Sequence, residues 1–238
     1  MIKKKNFYLI VMLYESAYFS LIIQFIVGLI NIYGLNIDIK DNKKIIKDIL
    51  KLEFGVQIIE FIFYTWMIIN FKLINNITPY RYLDWIITTP TMLITLIAYL
   101  NNKDDSSLKE FLSENKLFVI KIVTLNIIMM LFGLAGELNY IDYNIAIIMG
   151  FIPFVYYFKI IYDKYLLTNT KSNKTRLYWL FFLIWTIYGI VAFLPYEQKN
   201  ISYNILDLFS KNLFSVFLVI IILKSSNSIQ RNNLYCKY

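Results

Sequence analysis

Runs of about 20 apolar residues recur seven times along this chain, and they dictate most of what it can fold into. Their approximate limits are 7–33, 49–71, 80–100, 117–137, 141–162, 177–196 and 202–224. A helix rises about 1.5 Å per residue, so each run is long enough to cross a hydrocarbon core about 30 Å thick. The bilayer interior offers backbone N–H and C=O groups no water, so a spanning run must satisfy them internally as a helix. Composition agrees: 58% of the 238 residues are hydrophobic and 17% are charged, where a soluble domain carries about 25% charged residues. The expectation is an all-α, multi-pass integral membrane protein: one domain over residues 1–238, a seven-helix bundle whose first partner is the lipid bilayer. The "MIKKK" start resembles the charged end of a signal peptide. The apolar run continues past Gly28 with no small-x-small cleavage site, so an uncleaved first helix is expected.

Lysines and arginines set the orientation. Segments 34–48, 101–116, 163–176 and the tail after Leu223 hold most of them, while the alternate loops hold little beyond Lys72 and Lys199. The N-terminus is therefore expected outside and the C-terminus in the cytosol, although Lys3, Lys4 and Lys5 argue the other way. The net charge of +8 is then a topology signal, and nucleic acid is not an expected partner. The chain has no histidine and one cysteine, Cys236, so neither a disulfide framework nor a zinc or haem site is expected. Copies of the chain could associate within the membrane. No enzyme chemistry is expected.

Charges inside the apolar runs carry the functional signal. An ionised lysine at membrane depth costs roughly 2.5–3.5 kcal/mol on insertion scales, yet "ILDLFSKNLFSVFLVIIIL" holds Asp207 and Lys211 four residues apart, on one helix face. The third run opens "YRYLDWIITTP" and places Arg81 and Asp84 on one face at a similar depth. Two cations and two anions at one level sum to zero. Such a cluster could simply lock helices together, but ionisable groups inside a bundle mark a functional site by default. Trp85, Trp185 and Tyr188 could line a pocket for a long, flat apolar ligand, and a lysine amine can condense with an aldehyde to a Schiff base.

"RYLDWIITTP" and "DLFSK" together resemble the microbial (type 1) rhodopsins over nearly the whole chain. The resemblance implies all-trans retinal bound to Lys211 as a protonated Schiff base, with Asp84 and Asp207 as counterions and Arg81 holding those carboxylates ionised. Tyr64 and Tyr188 match family positions that hydrogen-bond the second counterion. Trp85, Thr89, Met129, Gly133 and Trp185 match positions lining the polyene and ring, and Pro90 shapes the third helix beside them. The chain departs from the family at Gly189, Ala192, Asn126 and Ser210. A hydroxyl dipole at Ser210 should stabilise positive charge at the Schiff base and shift absorption to the blue.

Within the family, several activities share this fold. Asp84 can accept a proton, but the usual donor position on the third helix is Thr95, which cannot supply one. Asn212 follows the retinal lysine as in channelrhodopsins. Glu60, four residues before Tyr64, matches the glutamate that there forms a central gate with the asparagine and a first-helix serine, here Ser16. Gln24 lies two turns further along, and Glu53 lies two turns from Glu60 and could form an inner constriction. Singly these residues have plainer readings: Ser16 could bond its own helix, Asn212 a nearby backbone group, and Glu53 could be a solvated helix end. The set most resembles the viral rhodopsins of giant algal viruses, in their light-gated cation channel branch. The expected function is a light-gated channel for monovalent cations. The alternatives are a slow outward proton pump with Asp84 as acceptor, or a sensory photoreceptor.

Overall fold

The computed structural model describes residues 2–39, 44–101, 107–167 and 172–235. Among these, helices α1 (Ile2–Leu35), α2 (Lys44–Ile69), α3 (Thr78–Asn101), α5 (Lys116–Glu137), α6 (Tyr143–Tyr165) and α7 (Ser172–Val191) are six long rods. The seventh is α8 (Tyr196–Asp207), a π-helical turn (Leu208–Asn212) and α9 (Leu213–Tyr235) in unbroken succession. A short helix, α4 (Leu108–Glu114), sits between α3 and α5. All the long rods except α7 are apolar enough over their length to cross a membrane. α7 opens on the polar stretch Ser172–Arg176, and its apolar part is correspondingly short.

Helix ends follow local chemistry. Asp142 caps α6 by accepting from the Asn144 and Ile145 amides, and Ser107 and Glu110 form a reciprocal capping box at α4. The sixth run was expected to stay helical to residue 196, but α7 stops at Val191 and a turn leads into Pro195. Proline disfavours helical geometry in the residue before it and cannot donate to a preceding turn. The last rod starts at Tyr196, earlier than the expected 202, because its polar first turns are buried and bonded inside the bundle. Lys199 Nζ lies 2.7 Å from Glu137 Oε1 and donates to the Tyr143 hydroxyl, which reaches the Ala192 carbonyl at 2.7 Å. This cluster ties α5, α6, α8 and the end of α7 together. Cys236 and several of the expected topology-setting lysines, Lys40, Lys43, Lys103, Lys171 and Lys237, lie outside the described residues.

Large apolar side chains such as Phe7, Leu117, Ile145 and Ile152 face outward, as expected where the surrounding solvent is lipid. Several close approaches depend on glycine. A Cβ on Gly133 would fall 2.4 Å from the Tyr82 hydroxyl, and one on Gly189 would fall 2.3 Å from the Phe151 ring. Gly189, one of the departures noted in the sequence, therefore leaves the space that Phe151 fills.

Candidate functional site

Lys211 lies in the π turn, whose extra residue lets Ser210, Lys211 and Asn212 all turn inward and become buried. The Lys211 Nζ marks the nitrogen that a Schiff-base linkage would use. It lies 2.6 Å from Asp84 Oδ2, 3.2 Å from Glu60 Oε1 and 3.7 Å from Asp207 Oδ1. Three carboxyls thus converge on one amine. The sequence pattern had paired only two of them with it and had placed Glu60 in a separate gate.

The two aspartates are held differently. Asp207 accepts from Tyr64 at 2.7 Å and from Tyr188 at 2.6 Å, and Arg81 lies 3.5 Å away. Asp84 Oδ1 has no hydrogen-bond partner among the described residues. Arg81 is fully buried. Its Nε donates to Asn200 Oδ1 at 2.8 Å, and one terminal nitrogen donates to Asn204 Oδ1. Asn204 in turn donates to Ser16 Oγ at 2.9 Å, and Ser16 also bonds the Leu13 carbonyl of its own helix. Ser16 thus joins the Arg81 cluster, and no hydrogen bond connects it to Glu60 or Asn212.

On the other side of Lys211 the polar groups continue toward the far end of the bundle. Gln57 donates to the Gln24 side chain and to the Gln24 carbonyl, and Thr95 donates to Glu53. All four residues are buried. The plainer reading of Glu53 as a solvated helix end does not hold.

A cavity opens beside Lys211. Its lining includes every residue expected there, Trp85, Thr89, Met129, Gly133, Trp185 and Tyr188, with Tyr82, Tyr203 and Ala192 added. Trp85 stands edge-on to Tyr203 and Tyr188, with ring centroids 5.0 and 5.7 Å away. Thr89 donates to Asn126 Oδ1 at 2.9 Å.

The sequence profile of the bacteriorhodopsin-like proteins matches residues 15–225. The chain belongs to the microbial rhodopsins. The solved viral rhodopsin OLPVRII is similar to it at 26% identity and a TM-score of 0.76, covering 89% of this chain and 98% of its own. The blue light-absorbing proteorhodopsin from Med12 shares the fold at 20% identity and a TM-score of 0.72, covering 90% and 98%. So does xanthorhodopsin, described as a light-driven ion pump with dual chromophore, at 16% and 0.73, covering 92% and 96%. A comparison with curated proteins returned no match.

Microbial rhodopsins bind retinal through a lysine Schiff base, and the residues present in this rhodopsin fit that group. The cavity adjoins the Lys211 side chain. Its walls are apolar and aromatic, and a buried amine with carboxyl partners lines it. The rhodopsin also holds site residues that the sequence pattern had not singled out. Asn200 and Asn204 lie seven and three residues before Asp207, on the same helix face, and that spacing was a usable signal. Gln57 falls between Glu53 and Glu60 at helical spacing and was equally legible. Ser20, which donates to the Asn204 carbonyl at 3.0 Å, continues the Ser16–Gln24 stripe.

Proposed function

We infer that this rhodopsin is a light-gated channel for monovalent cations, with all-trans retinal on Lys211. It works as one seven-helix unit, with the N-terminus outside and the Glu53 end toward the cytosol. Bound there, retinal would supply light absorption and a change of shape inside the cavity. The observation that carries the reading is a column of buried polar atoms with no hydrogen-bond partner among the described residues. From Lys211 toward the Glu53 end it includes both amide atoms of Asn212, Glu60 Oε2, Gln24 Nε2 and Glu53 Oε2. Buried polar groups normally find partners, and where the protein supplies none, water or an ion does so.

The chain's own residues suit gating by proton movement. Asp207 already accepts two tyrosine hydroxyls beside Arg81, whereas Asp84 faces the Lys211 nitrogen with one oxygen free of hydrogen bonds. Asp84 is therefore the group placed to take the proton from that nitrogen. Around it stand three carboxyls and two cations, leaving one negative charge over, and an unpaired buried charge is costly. A proton shared among Glu60, Asp84 and Asp207 completes the balance. Once the nitrogen is neutral, Glu60 loses its cationic partner. Its side chain can then turn toward Asn212 and the Gln24–Gln57 pair, and the seam between α1, α2, α3 and the last rod hydrates. Ser16 lies on the Arg81 side, so the gate consists of Glu60 and Asn212, with Ser16 positioning Asn204. Carboxylates and amides along the seam favour cations. The apolar outer faces suit lipid and equally a second copy of the chain.

A second reading, a slow outward proton pump, is favoured by the Asp84 geometry and by the Glu53 carboxyl at Thr95. The sensory reading has no comparable support in the geometry. Voltage clamp of cells expressing the chain with retinal tests the choice. A photocurrent that reverses sign along the cation gradient is expected. A current that stays outward at every voltage would replace the channel with the pump.

A further inference from the structure

Asn31, on α1, is fully buried, and neither polar atom of its side-chain amide has a hydrogen-bond partner among the described residues. Burying both halves of an amide without partners is unfavourable, so a ligand or water there would be stabilising. Its surroundings follow from close contacts on either side. A Cβ on Gly28 would lie 3.9 Å from Gln57 Cγ, and one on Gly34 would lie 3.1 Å from Leu50 Cδ2. α1 and α2 run in opposite directions, so Asn31, midway between those glycines, stands level with Glu53. The last rod runs in the same direction as α1, because Ser20 meets Asn204 and Gly34 meets Val219. Ser215, one turn before Val219, is therefore level with Asn31 as well. Thr95 of α3 is hydrogen-bonded to Glu53. Four helices thus bring one polar side chain each to a single cross-section, and all four side chains are buried.

We propose that Asn31, Glu53, Thr95 and Ser215 form an inner binding site for a partly dehydrated monovalent cation, the selectivity step of the pore. The ligands are hard oxygens, a carboxylate, an amide carbonyl and two hydroxyls, which suit hard cations. Glu53 Oε2 has no hydrogen-bond partner and is available to a cation. A single carboxylate neutralises one positive charge, while a divalent ion would keep one uncompensated in a low-dielectric interior. Immediately beyond, Leu50 and Val219 press against Gly34 and form an apolar closure, the kind that gates by excluding water. An ion arriving there must shed water, and the ring offers replacement oxygens one turn before the barrier.

The site has this role only if the pore reading holds, and the test separates the two. Photocurrents are recorded from the full chain with retinal, with sodium on one side and potassium on the other, for the unmodified protein and for Asn31→Leu, Asn31→Asp, Thr95→Val and Glu53→Gln. Visible absorption of each variant reports that it has folded around its chromophore. Asn31→Leu is expected to cut the current about tenfold with colour unchanged. Asn31→Asp and Thr95→Val, which keep the local volume, are expected to shift the potassium-to-sodium permeability ratio at least about threefold. A reversing current in the unmodified protein with the ratio unmoved in every coloured variant would overturn the site and leave the pore standing. A current of fixed sign in the unmodified protein would overturn both.

Discussion

The buried polar groups divide at Lys211 into two halves of opposite character. On the Arg81 side, Arg81, Asn200, Asn204, Ser16, Tyr64 and Asp207 are hydrogen-bonded in one connected network, in which Arg81 Nη1 has no hydrogen-bond partner among the described residues but lies 3.5 Å from Asp207. On the Glu53 side, Asn212, Glu60, Gln24, Glu53 and Asn31 all keep atoms with no hydrogen-bond partner among the described residues. Connected networks in a low-dielectric interior are rigid, because breaking one link strands a polar group. The first half is built to hold its shape and the second to change what fills it. A photoreceptor needs both: a fixed electrostatic frame for the chromophore, and a region where small shifts admit water.

The contrast can be broken at its boundary or within either half. Lys211→Ala removes the proposed attachment point between the two halves, and complete loss of visible absorption and photocurrent is expected on adding retinal. Arg81→Gln takes from Asp207 the nearer of its two cations, leaving Lys211 at 3.7 Å. Breaking a buried pair this way costs about 3–5 kcal/mol, so thermal denaturation of the purified protein should show a large fall in Tm. Glu53→Gln, in the open half, should barely move it. Glu60→Gln and Asn212→Ala should keep colour and Tm close to those of the unmodified protein while reducing photocurrent about tenfold. An equal loss of Tm in these variants would erase the distinction between the halves. The smallest effect belongs to Ser210→Ala. The Ser210 hydroxyl stands 2.9 Å from the Tyr188 hydroxyl, and its removal should shift the absorption maximum modestly to the red, read directly in a spectrum.

The two halves were not equally legible in the sequence. Apolar runs revealed the rods, because spanning a bilayer leaves little freedom in length. "RYLDW" and "DLFSK" exposed the charges, since ionised groups at such depth demand one another. The last rod was read too short because Tyr196–Asn204 looks like a solvated loop, and burial of Lys199, Asn200 and Asn204 against partners on other helices has no local signature. The same limit placed Ser16 in the gate: helical spacing shows which face a residue occupies, whereas its partner depends on the vertical offset between helices. Glu60 beside Lys211 is the reverse case. Its depth was plain, but convergence of three carboxyls on one amine required knowing how α2 and the last rod slide past each other. Asn31 went unnoticed because a lone asparagine in an apolar run carries no motif.

The π turn at Leu208–Asn212 sets a rotational phase for everything that follows it. One residue fewer there would restore plain α geometry and turn α9 by about 100° relative to α8. Lys211 would still adjoin the cavity, yet Ser215 would leave the seam and face a neighbouring helix or lipid. Insertions and deletions in this short segment should therefore be far less tolerated than substitutions. The single extra residue acts as the indexing key that keeps Lys211 and Ser215, on the two parts of one helix, in step with the same seam.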